Sequence, residues 1–162
     1  MKKKFTFTNE TVKYHEKRSK MRINLPETVT PDLIGIVIVS HSTFASGMVE
    51  ASEVILGASE NVATLGLELE DDPDEFGEEV ANAISLFPAG CLVLVDMLGG
   101  TPFNQLMLSA ERGSYRAVCG VNLGMLLEVL VARDTEDLET LAKNAYNTGL
   151  ECIVDVEKLF EN

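Results

Sequence analysis

Two side chains stand where an apolar run meets a polar turn. His41 comes just after the run Ile34 to Val39, separated from it by Ser40, and Asp96 directly follows a second run, Cys91 to Val95. A carboxylate that accepts from one imidazole nitrogen fixes the tautomer and leaves the other nitrogen with its lone pair outward, which makes it a nucleophile. The electrophile it would suit is suggested by Gly99-Gly100-Thr101-Pro102, just beyond Asp96. Permissive backbone and a hydroxyl at the start of a helix present unpaired N–H groups and the positive dipole end, a seat for a phosphoryl group. Alone, a histidine at a strand end is most often a hydrogen-bonded surface residue, and Gly-Gly-Thr-Pro is an ordinary loop and cap. Together, at the ends of two strands, they favour chemistry.

Other chemistries fit less well. Ser40 and Ser42 lack a G-x-S-x-G elbow, and no glycine-rich stretch ends in Gly-Lys-Ser/Thr, which sets aside the serine hydrolases and the P-loop. The other histidine, His15, has no matching motif. Cys91, Cys119 and Cys152 are widely spaced in apolar stretches, so they read as small buried residues of a reducing compartment, and no zinc spacing is present. The acidic run Glu68 to Glu79 lacks calcium-loop spacing and is explained by favourable charge at a helix start. Arg112 and Arg133 read as solvated surface arginines.

The elements that must position His41 and Asp96 alternate along the chain, as in a parallel sheet covered by helices. Strands are expected at Ile34 to Val39, Val62 to Leu67, Cys91 to Val95 and Tyr115 to Val121. Continuous apolar runs mark strands buried on both faces. Helices are expected from about Ser46, with Met48, Ala51 and Ile55 on one side, and after Asp72-Pro73, where Asp72 caps and Phe76, Val80, Ala83, Ile84 and Phe87 form one face. Further helices are expected from Thr101-Pro102, from Met125 to Ala132, and around Leu138, Leu141, Ala142 and Ala145. Cys152 to Val156 reads as a closing strand. The fold class is α/β: a doubly wound, mainly parallel sheet in the order 2-1-3-4, with helices on both faces and an antiparallel C-terminal edge strand. In that order the first and third strands are neighbours at the switch point, where ligands collect and where His41 and Asp96 meet.

The chain of 162 residues has a formal net charge of -13, with 46% hydrophobic and 24% charged residues, ordinary for one globular domain. Residues 1–30 carry eight basic and three acidic side chains, and the rest five and twenty-three. Residues 1–30 read as a flexible basic extension and 31–162 as the domain. The acidic body repels phosphates and anionic lipid, which disfavours nucleic acid and membrane surfaces as partners. The longest strongly apolar run falls far short of a membrane span and no signal core follows the N-terminal lysines, so a cytoplasmic location is expected.

At these residues the sequence resembles the EIIA component of the mannose-class bacterial phosphotransferase system. The segments IGIVIVSHSTFASGM, VILGASENVATLGLE, LVLVDMLGGTPFNQ and CGVNLGMLLEVLVARD run in the family's order from about Leu33 to Asp134. The resemblance implies a phosphotransferase in which His41 accepts a phosphoryl group from the phosphocarrier HPr and passes it to an EIIB component. EIIB in turn serves the EIIC and EIID membrane permease that imports and phosphorylates sugar. It further implies that Asp96 orients the ring, that Thr101 with Gly99 and Gly100 holds the phosphoryl group, and that no metal or other cofactor takes part. It also implies a homodimer that exchanges the C-terminal strand. Two positions depart from the family pattern. Ser42 stands where glycine usually follows the histidine, as in the related dihydroxyacetone-kinase phosphotransfer subunit, and Gly124 stands where proline is common. That subunit and a stand-alone regulatory EIIA-like module are the alternative functions; the intact G-G-T-P-F-N run favours the sugar system.

Overall fold

A computed structural model describes residues 21–111 and 113–160; His15 and Arg112 lie outside them. Five strands form one sheet: β1 (Arg22–Asn24), β2 (Gly35–His41), β3 (Val62–Leu67), β4 (Cys91–Val95) and β5 (Tyr115–Cys119). Their order is β1-β3-β2-β4-β5. The pairs β2–β3, β2–β4 and β4–β5 are parallel, whereas β1 lies antiparallel on β3. The four parallel strands thus turn back at β2. One connection leaves to β3 on one side, and β4 returns on the other.

Alternation sorts the sheet's side chains between two cores. Val37, Val39, Ala63, Leu65, Val93 and Val95 point to one face, and Ile36, Ile38, Leu92 and Leu94 to the other. The first face is covered by α2 (Pro73–Ser85) through Phe76, Val80, Ala83 and Ile84, and by α3 (Thr101–Ser109) through Leu106. The second is covered by α1 (Phe44–Leu56), α4 (Leu123–Ala132) and α5 (Leu138–Glu151), through Ala45, Met125, Leu126, Val129, Leu141 and Ala145. Each large aliphatic side chain so buried contributes on the order of 1.5–3 kcal/mol. The start of α2 follows its sequence: Asp72 accepts from the N–H groups of Asp74 and Glu75, with Pro73 at the first turn.

Four expectations need correction. The buried side of α1 is Ala45 and Ser52 with Met48 and Val49 partly buried, and Ile55 is exposed. A buried serine hides the helical period, and Ser52 is accommodated because its hydroxyl donates to the Val49 carbonyl at 2.8 Å. Cys152 to Val156 is not a strand. Cys152 caps α5, Val156–Phe160 is a 3-10 helix, and Ile153, Val154 and Val156 are exposed. A strand needs a neighbour to bond its backbone, and among the described residues no strand pairs with that segment. The last ten residues of the arm belong to the fold, since Arg22–Asn24 pair with β3 and Asn61 bonds Thr30 and the Leu33 carbonyl. Arg133 is buried, 7% exposed, donating to the carbonyls of Ile34 and Asn61 at the far end of the sheet from His41.

Candidate functional site

Because β2 alternates, its last two residues serve opposite faces. Ser40 turns toward α1, where its buried hydroxyl oxygen accepts from the Ala45 N–H at 3.0 Å and caps a helix that Thr43 leaves without a side-chain bond. His41 turns to the other side, against the start of α3. Asp96 leaves β4 beside it, its N–H donating to the Val39 carbonyl at 3.2 Å.

The two side chains meet. Asp96 Oδ2 lies 2.7 Å from His41 Nδ1 and also accepts the His41 backbone N–H at 2.9 Å. Its Oδ1 accepts the Met97 N–H at 2.7 Å. An ionised carboxylate only accepts, so the proton between Oδ2 and the ring belongs to Nδ1, and Nε2 carries the lone pair. The Asp96 side chain is 11% exposed and that of His41 44%, so a sheltered anion holds a ring that reaches solvent.

Two glycines make room for this. Gly99 has φ +76°, a left-handed conformation that turns the chain into α3. A Cβ on Gly100 would stand 2.9 Å from His41 Cε1 and 3.6 Å from Nε2, so only glycine lets the ring sit on the helix N-terminus. Gly100 caps α3 without a side chain and Pro102 has no N–H, which leaves the first-turn amides uncapped by any side chain. The Thr101 hydroxyl opens the same helix and has no hydrogen-bond partner among the described residues. The arrangement offers a nucleophilic nitrogen beside a seat for an anion.

The ring's surroundings are open. Met97 and Leu98, in the turn that follows Asp96, are exposed. A cavity of about 260 Å³ lies not over the ring but behind the turn that follows it, between β1, β3 and the start of α1, lined by Arg22, Ser42, Ala45, Ser46, Thr64 and Gly66 among others. No group of His, Cys, Asp or Glu suited to a metal occurs among the described residues. Cys119, at the end of β5, is partly buried; burial chiefly, and the Asp96 charge, push its thiol up, against a bond from the Gly120 backbone. Burial pushes Cys91 up to about 12, so neither thiol competes as a nucleophile. Cys152 is exposed, contrary to the buried reading, with its sulfur against Gly124: a Cβ there would lie 2.2 Å from Sγ.

Sequence reasoning missed the turn after His41. Ser42 has φ +47°, and its hydroxyl donates to Glu68 Oε1 at 3.0 Å, the same oxygen that receives Arg22 Nε. The one available signal was that the family usually has glycine at this position.

Among the described residues, no helix is long and apolar enough to cross a membrane. The family described as "PTS system fructose IIA component" matches residues 35–146. The chain is 32% identical over 122 residues to the mannose-specific EIIAB component of Escherichia coli (strain K12), covering 73% of this chain but only 38% of that longer relative. It is 31% identical over 115 residues to the fructose-specific EIIA component of Bacillus subtilis (strain 168), covering 69% of this chain and 79% of the relative. A crystal structure of phosphotransferase system component EIIA from Streptococcus agalactiae superposes with a TM-score of 0.71 at 29% identity, over 78% of this chain and 99% of that one. The matched span begins with β2 and contains His41, Asp96 and the glycine pair, and the chain belongs to the mannose-class EIIA family of the phosphotransferase system.

Proposed function

We propose that this chain carries phosphoryl groups through His41 Nε2 in a sugar phosphotransferase system, taking them from phospho-HPr and giving them to an EIIB component that serves an EIIC/EIID permease. The observation that carries the reading is the 2.7 Å contact of Asp96 with Nδ1, which leaves Nε2 facing outward at the start of α3. In the step, the Nε2 lone pair forms an N–P bond as the donor's N–P bond breaks, and the donor nitrogen keeps the electron pair. No proton moves. The ring becomes cationic with its Nδ1–H still on Asp96, whose charge stabilises it, while first-turn amides and the Thr101 hydroxyl receive the phosphoryl oxygens. Catalysis is positioning and charge stabilisation. An exposed ring without an enclosing pocket suits a protein donor and acceptor, which exclude water by docking. The acidic body, acting in the cytoplasm, attracts a basic partner face. The chain works as a homodimer joined through its C-terminal segment.

Intact-mass spectrometry after incubation with enzyme I, HPr and phosphoenolpyruvate tests the relay. Wild type is expected to gain one acid-labile phosphoryl group, and His41→Ala none. Uptake by the variant would move the acceptor elsewhere.

A further inference from the structure

The residue after His41 is held by an arrangement that the relay does not require in principle. Ser42 adopts a left-handed φ of +47°, a conformation that strains a side-chain-bearing residue. Its N–H donates to the Leu67 carbonyl at 2.9 Å, which commits the turn to β3. Its carbonyl oxygen packs against Gly66, where a Cβ would lie 1.9 Å away, so the turn and β3 fit together closely. The hydroxyl donates to Glu68 Oε1 at 3.0 Å, and Arg22 Nε donates to the same oxygen. Glu68 is fixed in turn by its own N–H on Asp71 Oδ2 at 2.7 Å. Arg22 is fixed because β1 pairs it with Gly66. The strand from the basic arm therefore ends its reach one residue from the ring, and the backbone it secures is the one whose His41 N–H meets Asp96.

We propose that Arg22 and Glu68 are positioning residues for His41: together they hold the Ser42 hydroxyl, and through it the left-handed turn that sets the ring over α3. The inference rests on reading His41 as the phosphoacceptor. Neither residue touches the reacting atoms. A glycine after the histidine takes a positive φ without strain and needs no such anchor, whereas this chain has serine and an added strand that supplies a cation behind its partner.

A double-mutant cycle in the full chain tests this. Glu68→Ala is expected to slow phosphoryl uptake from HPr by about tenfold, the size a slightly misplaced nucleophile entails. In the Ser42→Gly background the same substitution is expected to change the rate by less than about twofold, because the turn no longer depends on the hydroxyl. Equal slowing in both backgrounds overturns the proposal and makes Glu68 a docking residue; no slowing in either also overturns it. Nitrogen-15 NMR of the His41 ring gives a readout independent of transfer. Glu68→Ala is expected to weaken the Nδ1–H signal of the Asp96-bonded tautomer, and Ser42→Gly/Glu68→Ala to restore it. If wild type takes up no phosphoryl group, the phosphoacceptor reading fails. The ring spectrum still decides the clamp, and an unchanged Nδ1–H in Glu68→Ala overturns it.

Discussion

Asp96 uses both of its oxygens, one for the His41 backbone and ring and one for the Met97 N–H. Asparagine offers a single acceptor oxygen. Whichever way its amide turns, either the part-buried His41 pair or the exposed Met97 N–H faces an NH₂ group instead, and a sheltered donor left unpaired on the His41 side costs roughly 1–3 kcal/mol. Asp96→Asn is therefore expected to lower the unfolding free energy obtained from urea titration by up to about 3 kcal/mol while slowing phosphoryl uptake about tenfold or more, on the order of other misorientation effects. Uptake at the wild-type rate would end the orienting role. Gly100→Ala separates geometry from stability. Its φ of -70° and ψ of 164° are open to alanine, so the backbone is unstrained, yet the new methyl would stand 2.9 Å from Cε1. The variant is expected to melt close to wild type and to lose most of its uptake rate in a single-turnover assay. A normal rate would mean that the ring does not work from its seat on α3. At this scale the sequence was informative about His41, Asp96 and the glycine pair, because each stands where an apolar run stops. It marked Ser42 only as a departure from glycine and Glu68 only as part of an acidic run, because their contacts depend on a backbone angle and on a strand of three residues, too short to display a period. It misled on Arg133, since a lone arginine at a helix end carries no sign that two strand-end carbonyls wait for it.

Parallel strands were legible because burial on both faces removes alternation and leaves unbroken apolar runs; β2 and β4 are buried along nearly their whole length. The helices read well where apolar types follow the helical period, as in α2, and badly in α1, where Ser52 is inside and Ile55 outside. β1 escaped detection because its pairing is decided by β3's open edge rather than by its own residues. The ionic link that accompanies this pairing has a pH signature. The bond from Arg22 first, and that from Ser42 second, hold the Glu68 carboxyl below its ordinary value of 4.5. A carboxyl depressed in the folded state stabilises that state fully above the unfolded value, and the stabilisation is lost as pH falls through the folded value. The melting-temperature difference between wild type and Glu68→Gln is thus expected to stay constant from pH 7 to about 5 and to close on further acidification, followed by circular dichroism. A difference that widened in acid would show that Glu68 is not held as an anion.

For the whole molecule, what a single chain leaves uncovered is as informative as what it buries. β5 is the last strand of the sheet among the described residues, and edge strands are where sheets of two chains can meet. The segment that follows α5 exposes Ile153, Val154, Val156, Leu159 and Phe160 in succession, an apolar density that surface segments of a monomer rarely carry. The expectation of a strand here arose from that same composition, and among the described residues no strand pairs with the segment. A second copy would cover that apolar tail, and the isologous pairing of a two-fold dimer is the symmetry this predicts. Deleting residues 153–162 removes the tail while leaving every strand and the five α-helices intact. Sedimentation equilibrium is expected to find wild type dimeric at micromolar concentration and the truncated chain monomeric, with the His41 ring signals of the two alike, since the tail lies outside the Asp96 and Gly100 contacts. A wild-type monomer at all concentrations would sink the dimer. A truncated chain that still dimerises would move the interface to the other large exposed apolar set, Val54, Ile55 and Leu56 at the end of α1.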